Sequence, residues 1–120
     1  MHHDFSFRGN KTLIHILIYN LVTNAIKYNR PQGNIVVADG FLENNYFISI
    51  TDSGIGMNAS QIENIFNRFA RIISDQDGQG LGLAIADSIA SFHHIEIKVT
   101  SLINEGTTFM LLFPEALKYN

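Results

Sequence analysis

The sequence predicts an α/β (α+β) two-layer sandwich, in which about three helices cover one face of a mixed, mostly antiparallel sheet of about five strands. Two long segments carry apolar residues at helical spacing, and shorter segments around them alternate apolar and polar residues as strands do. The segments follow the order β-α-β-β-loop-α-β-β. A length of 120 residues fits one domain spanning 1–120.

The helices are predicted from apolar spacing and from the residues that begin and end each segment. Asn10 is expected to cap the first helix, which runs to about Tyr28. Residues 60–69 form a short amphipathic helix, and residues 81–93 form a second core helix. Before the first helix, residues 5–7 alternate aromatic and polar side chains, which predicts a short edge strand.

Four further strands are predicted from β-branched composition and alternation. Residues 34–39 and 46–51 are interpreted as a β-hairpin, with Gly40 and an Asn-Asn pair between them. Residues 95–100 and 107–113 form the last two strands, joined by an Asn-Glu-Gly turn. Residues 115–120 are expected to be a frayed tail.

Composition and charge exclude several classes of function. Hydrophobic residues make up 46% of the chain and charged residues 16%, which is typical of a globular domain. The net charge of −3 argues against a nucleic-acid surface or direct membrane contact. The chain has no cysteine, so it can form neither a disulfide nor a thiolate metal site. No apolar run reaches membrane-spanning length, and we expect a cytoplasmic domain whose parent can still be membrane-anchored.

The chain begins abruptly at MHHDFSF. We therefore expect an excised fragment of a longer protein, in which residues 1–4 are additions. Residues 74–80, SDQDGQG, have no periodicity and are interpreted as a mobile loop.

One face of the first helix is polar although most of its circumference is apolar. Asn20, Asn24, Lys27 and Tyr28 are separated by four, three and one residues, which places them on a single face. Polar groups within a core need partners, so we expect a polar ligand against this face. Taken singly, each has an alternative interpretation: an Asn satisfied by backbone, a packing Tyr, and a Lys that interacts with the C-terminal helix dipole, which is the favoured interpretation of an isolated Lys.

Two glycine-containing segments are candidate ligand contacts. Asp52 ends a strand and is followed by Gly54 and Gly56, so its carboxylate could hold an exocyclic amino group or simply cap a turn. The segment GQGLGL opens the second long helix, where exposed N–H groups favour phosphate, although a flexible hinge has the same pattern. Neither segment is decisive alone.

Taken together, these segments resemble the ATP-binding catalytic domain of sensor histidine kinases, in the superfamily shared with DNA gyrase and the MutL proteins. NLVTNAIKY resembles the N box, DSGIGM the G1 box, IFNRFARI the F box, GQGLGLAIA the G2 box and NEGTTFMLLFP the G3 box with the final strand. The resemblance covers roughly residues 5–114, and the order and spacing of all five motifs agree.

The resemblance implies a nucleotide site for ATP and Mg²⁺, under a lid spanning about residues 57–80. Asn20, Asn24 and Lys27 are the implied catalytic residues, with Asn24 the ligand of the Mg²⁺. The implied nucleotide contacts are Asn24, Lys27, Tyr28, Asp52, Gly54, Gly56, Arg71, Gly80, Leu81, Gly82 and Thr107. Among them, Asp52 binds the adenine amino group with support from Thr107 through water, and the first two glycines leave room for the base.

One position bears on the reaction. In the gyrase branch, a Glu that activates water stands where this chain has Asn20. An amide cannot act as a general base at neutral pH, so Asn20 favours transfer to a protein side chain over hydrolysis.

Ala70 replaces a usual F-box aromatic residue, which implies looser lid packing. Asn104 replaces the first G3 glycine, and Asn tolerates the left-handed conformation of that turn.

The implied function is donation of the γ-phosphoryl group of ATP to a histidine on a separate dimerisation hairpin, in two-component signal transduction. The partners are that phosphoacceptor hairpin and a downstream response regulator, and the isolated domain is expected to be monomeric. His15, His93 and His94 have no acidic neighbour after them and are interpreted as packing or surface residues. Alternatives are a free-standing anti-sigma-type protein-serine kinase and a catalytically silent nucleotide-binding docking module.

Overall fold

The computed structural model of the protein describes residues 9–64 and 79–114. Its elements follow the chain in the order α1 (Lys11–Tyr28), β1 (Ile35–Leu42), β2 (Asn45–Asp52), α2 (Ala59–Asn64), α3 (Gln79–Phe92), β3 (Glu96–Leu102) and β4 (Gly106–Leu112). The strands form one open sheet in the order β1-β2-β4-β3. The prediction of an α+β two-layer sandwich is confirmed.

The sheet differs from the prediction in strand number and direction. In the described ranges it has four strands instead of about five, and all three neighbouring pairs are antiparallel instead of mixed. The strand predicted over residues 5–7 lies outside the described residues. The same holds for residues 65–69 of the predicted amphipathic helix, of which α2 covers the first part, and for the tail at 115–120.

The hairpin turn lies later in the chain than Gly40. Gly40 is a regular member of β1, paired with Phe47 of β2. The turn is made by Glu43 and Asn44, and Glu43 takes the left-handed conformation with φ 57°. The expectation that Gly40 lies between the strands was therefore wrong, because flanking strand pairing keeps this glycine in the ladder.

Helix α1 begins and ends close to the predicted residues. The Asn10 side chain accepts a hydrogen bond from the Leu13 amide at 3.0 Å, which confirms Asn10 as the N-cap. The helix ends at Tyr28, and Asn29 has an extended conformation with φ −75° and ψ 160°. This extended backbone agrees with Pro31 two residues later, which prevents the helix from continuing.

The hydrophobic core lies between the sheet and the two long helices. Its fully buried leucines on α1 are Leu17 and Leu21, which face Ile50, Phe109 and their neighbours on the sheet. Burying a leucine side chain of this kind contributes about 2 kcal/mol to folding. None of the helices in the described ranges is long and apolar enough to cross a membrane.

The sheet face that contacts the helices changes from apolar to polar at one end. Residues directly opposite each other in antiparallel strands point to the same face. Two successive cross-strand rows on this face are apolar, namely Ile48-Leu111-Ile97 and Ile50-Phe109-Val99. The next row consists of Asp52, Thr107 and Ser101, and we call it the polar row. It lies where β2 ends, which places three polar side chains at one edge of the core.

Candidate functional site

The polar row contains a buried carboxylate with an open hydrogen-bonding position. Asp52 is 5% exposed and Thr107 is 7% exposed. The Oδ1 atom of Asp52 accepts a hydrogen bond from the Gly54 amide at 2.8 Å. Within residues 9–64 and 79–114, its Oδ2 atom has no hydrogen-bond partner. A carboxylate so buried requires further donors, and a bound ligand could provide one.

Ser101 connects the polar row to the segment that follows β2. Its Oγ atom lies 2.8 Å from the Thr107 Oγ1 atom and donates to the Gly106 carbonyl oxygen at 2.9 Å. The Ser101 Oγ atom also accepts a hydrogen bond from the Met57 amide at 2.8 Å. One hydroxyl therefore contacts β4 and the end of the DSGIGM segment at once.

The DSGIGM segment packs directly against the turn between β3 and β4. The Asn104 amide donates to the Ile55 carbonyl oxygen at 2.8 Å. Gly56 has φ 71°, and a Cβ atom there would overlap the Leu102 carbonyl oxygen. Asn104 itself has φ 67°, which confirms that Asn can occupy this left-handed turn position.

Gly54 allows the same segment to approach the end of α1. A Cβ atom on Gly54 would overlap the carbonyl oxygen of Tyr28, so no larger residue fits without movement of the backbone. The Ile55 amide donates to that carbonyl oxygen at 3.4 Å. Both glycines thus have a packing role, in addition to any space that they leave for a ligand.

Arg30 holds these segments together from the surface. Its Nη2 atom donates to the Gly54 carbonyl oxygen at 3.0 Å and also to the Asn104 carbonyl oxygen. The guanidinium group therefore joins the chain after α1, the DSGIGM segment and the β3–β4 turn. A planar guanidinium with several donors is suited to such a bridge between carbonyl groups.

The polar face of α1 leads toward this region. Asn20 and Asn24 are half-buried, and Lys27 is exposed in the last helical turn. Their side chains have no hydrogen bond or ion pair with another residue in the described part of the chain. Because the Tyr28 carbonyl contacts Gly54, the C-terminal turn of α1 is adjacent to the loop that follows Asp52.

The glycine-containing segment forms the beginning of α3. The helix starts at Gln79, so Gly80, Leu81 and Gly82 lie in its first turn. The first four N–H groups of a helix have no partner inside the helix and can bind an anion. Arg71 and the greater part of the lid expected at about 57–80 lie outside the described residues.

The structure brings part of the sequence-predicted site together. Asp52 is directly opposite Thr107, and its loop, including Gly54 and Gly56, contacts the end of α1 and the β3–β4 turn. Two residues were missed, Ser101 and Arg30. The alternation of the strand continues two residues beyond Val99 and could have identified Ser101 as inward-facing. Nothing in the sequence indicated that Arg30 would contact two distant turns.

Comparison with known proteins identifies the family. The protein-family model described as histidine kinase-, DNA gyrase B- and HSP90-like ATPase matches residues 9–117 of the chain. The chain therefore belongs to this family, which confirms the resemblance to the catalytic ATP-binding domain of two-component sensor kinases.

Individual relatives are a heme sensor protein and a sensor histidine kinase. The chain is 41% identical over 113 residues to the heme sensor protein HssS of Staphylococcus saprophyticus, covering 94% of this chain and 25% of HssS. It is 36% identical over 110 residues to the sensor histidine kinase RppB of Synechocystis, covering 88% of this chain and 24% of RppB. It thus spans about a quarter of the length of these curated relatives.

Solved structures of two histidine kinases have the same fold. The mycobacterial sensor histidine kinase MprB superposes with a TM-score of 0.78 at 26% identity, covering 90% of this chain and 76% of that chain. The catalytic domain of the histidine kinase ThkA superposes with a TM-score of 0.76 at 27% identity, covering 91% and 70% of the two chains.

Proposed function

We propose that this domain binds MgATP and donates the γ-phosphoryl group to a histidine on a separate dimerisation hairpin, within a two-component signalling protein. The observation that carries this proposal is the buried Asp52 carboxylate, one oxygen of which has no hydrogen-bond partner in the described ranges. An ionised carboxylate is only an acceptor, so its ligand must present an N–H or O–H group. The exocyclic amino group of adenine has this chemistry.

The geometry around Asp52 supports a flat base at this position. The Gly54 amide already occupies Oδ1, which directs a ligand to the other oxygen. Thr107 lies directly opposite on β4 and offers a hydroxyl beside the carboxylate, either to the base or to a bridging water. The exposed ring of Tyr28, at the end of α1, is suited to cover the base.

The phosphate groups are proposed to lie between α1 and the beginning of α3. Lys27 carries a positive charge near this position, and the backbone of Gly80, Leu81 and Gly82 presents N–H groups. Arg71 is a further proposed phosphate contact. The net charge of the chain is −3, so these local groups must provide the attraction for an anion.

Mg²⁺ is proposed to bind together with the nucleotide. The described residues contain no group of three or more His, Cys, Asp or Glu side chains that could hold a metal ion. Asn24 is half-buried, and its amide oxygen has no hydrogen bond within the described residues, so it can provide one oxygen ligand. Mg²⁺ commonly takes few protein ligands and completes its shell with phosphates and water, which fits a single amide.

Asn20 supports phosphoryl transfer over hydrolysis. An amide at this position cannot remove a proton from water at neutral pH. Transfer then depends on positioning and on neutralising charge, which Lys27, the Mg²⁺ held by Asn24 and the start of α3 would provide. The acceptor hairpin and a response regulator are the proposed protein partners, and the proposed location is the cytoplasm with a monomeric isolated domain.

Nucleotide binding is tested by titrating ATP, with and without Mg²⁺, into the wild type and into Asp52→Asn. Asparagine keeps an oxygen for the Gly54 amide but presents an NH₂ group to the ligand, so it is close to isosteric. We expect binding by the wild type in the micromolar range and at least tenfold weaker binding by Asp52→Asn, since a bond to a charged group contributes about 1.5–3 kcal/mol. Asn24→Ala should reduce the effect of Mg²⁺ specifically. A folded wild type that binds no ATP would contradict the proposal.

The acceptor is tested with γ-labelled ATP and a dimeric helical hairpin that carries a phosphorylatable histidine. Acid-labile label on the hairpin, absent when its histidine is replaced by alanine, is the expected result. Acid-stable label on a serine would favour the anti-sigma-type kinase. ATP binding without any transfer would favour a docking module.

A further inference from the structure

The hydrogen bonds of Ser101 determine which way the Thr107 hydroxyl donates. A serine hydroxyl has one hydrogen and two lone pairs. The Gly106 carbonyl can only accept, so the hydrogen of Ser101 is used on that oxygen at 2.9 Å. The Met57 amide can only donate, so it uses one lone pair of Ser101 at 2.8 Å.

The remaining contact of Ser101 is therefore an accepting one. The Thr107 Oγ1 atom lies 2.8 Å away, and its hydrogen must point toward Ser101. With its hydrogen used, Thr107 presents only lone pairs to the rest of its surroundings. Thr107 is 7% exposed and lies opposite Asp52, so two acceptors stand side by side in the polar row.

We propose that Ser101 is a positioning residue that makes the nucleotide site selective for an amino group over a carbonyl group. This inference rests on the proposed function, because it assumes that the base of ATP reaches Asp52. A 6-amino purine places a donor against the two acceptors directly or through water. A 6-oxo purine places a third acceptor there, which leaves buried lone pairs facing each other.

Ser101 acts through Thr107 and is not itself placed against the base. Its hydroxyl is surrounded by three protein partners, on Met57, Gly106 and Thr107. Without it, the Thr107 hydroxyl would be able to rotate and donate toward the ligand. The site would then discriminate less strongly against a carbonyl group, with Asp52 as the one remaining fixed acceptor.

The test compares the dissociation constants of MgATP and MgITP, which differ at the purine 6-position, for wild type and Ser101 variants. For Ser101→Ala we expect the ITP/ATP ratio of dissociation constants to fall at least fivefold. Ser101→Thr retains a hydroxyl and should keep the ITP/ATP ratio close to that of the wild type. Thr100→Ala is the matched control, because Thr100 is an exposed residue on the same strand with the opposite orientation.

The outcomes separate this inference from the function on which it rests. If Ser101→Ala weakens ATP and ITP equally, Ser101 has only a structural role and the inference is overturned while nucleotide binding stands. If wild type binds neither nucleotide, both fail. Thermal unfolding of each variant establishes that it is folded. Should Ser101→Ala not fold, the near-isosteric Ser101→Cys, whose thiol is a weak hydrogen-bonding group, must still lower the ratio at least twofold.

Discussion

The Nε2 atom of His93 accepts a hydrogen bond from the backbone amide of Asn10 at 3.0 Å, although 83 positions separate the two residues. Since an amide can only donate, this nitrogen carries no proton, and the ring hydrogen is on Nδ1, 2.9 Å from the Ile89 carbonyl oxygen. The buried ring thus joins the start of α1 to the last turn of α3. Of the two roles expected for this histidine, packing or surface, the buried position of His93 agrees with the first.

Replacing His93 with phenylalanine should therefore destabilise the domain. His93→Phe keeps an aromatic ring but removes both hydrogen bonds and leaves the Asn10 amide without its acceptor. We expect the free energy of unfolding to fall by about 2–3 kcal/mol, measured by urea denaturation. His15→Ala, at an exposed position of α1, is the control and should change it by less than about 0.5 kcal/mol. Equal effects would show that His93 is not a link between the helices.

Arg30 should stabilise the loop after β2 more than it stabilises the core. Arg30→Ala removes two hydrogen bonds to carbonyl groups at a largely exposed position, so we expect a loss of about 1 kcal/mol in the free energy of unfolding. Hydrogen exchange should accelerate at the Asn104 and Ile55 amides in particular, because they lie in the joined turns. Exchange that accelerates equally throughout β2 and β4 would contradict a local role for Arg30.

Alkaline pH should destabilise the domain through Tyr46. Burial of the phenol, together with its hydrogen bond to the Asp39 carboxylate at 2.7 Å and the charge of that carboxylate, raises the pKa of Tyr46 well above its ordinary value of 10.0. At a pH above the ordinary pKa and below the raised one, Tyr46 loses its proton in the unfolded chain but keeps it in the folded chain. The free energy of unfolding therefore decreases as the pH rises above about 10.

The measurement is urea denaturation at several pH values between about 9 and about 11.5. Tyr46→Phe has no phenol to ionise and should show a smaller decrease than the wild type over this range. Tyr19→Phe is the matched control, because the Tyr19 side chain is 67% exposed and the same phenol is removed from it. A Tyr46→Phe curve parallel to that of the wild type would refute the linkage.

Gly54→Ala should lower the free energy of unfolding of the domain, both with and without nucleotide. The added methyl group would overlap the Tyr28 carbonyl oxygen, so the loop or the end of α1 must move. We expect the free energy of unfolding to fall by about 2–4 kcal/mol. Thermal and urea denaturation without ligand would measure this change. Asp52→Asn, two residues away and close to isosteric, should retain most of the stability. If Gly54→Ala melts like the wild type, the close approach of these two segments is not required.

The fold and half of the site were predictable from local patterns. The cap at Asn10, the end of α1 at Tyr28 and the strand that ends at Asp52 each depend on nearby residues, and local patterning reveals them. The row formed by Asp52 and Thr107 became visible only through motif resemblance, because strand pairing is a long-range contact.

The missed residues have long-range contacts that no local pattern encodes. Arg30 follows the end of a helix, where the sequence indicates only an exposed side chain. Its hydrogen-bond partners are 24 and 74 positions away. Ser101 lies one residue beyond the predicted strand end, and its role depends on Met57, 44 positions earlier. Gly40 was assigned to a turn because glycine is common there, whereas pairing with Phe47 keeps it in the sheet.

The buried acceptor on Asp52 has a consequence for the life of the protein in the cell. Under the proposed function, ATP supplies a donor that the described chain does not, and the strands and loop that bury Asp52 are assembled only in the folded state. At a concentration 100-fold above its dissociation constant, such a ligand adds about 2.7 kcal/mol to stability. ATP would thus be a folding ligand as well as a phosphoryl donor. Starved cells would be expected to degrade this domain faster, which would make its abundance respond to energy supply.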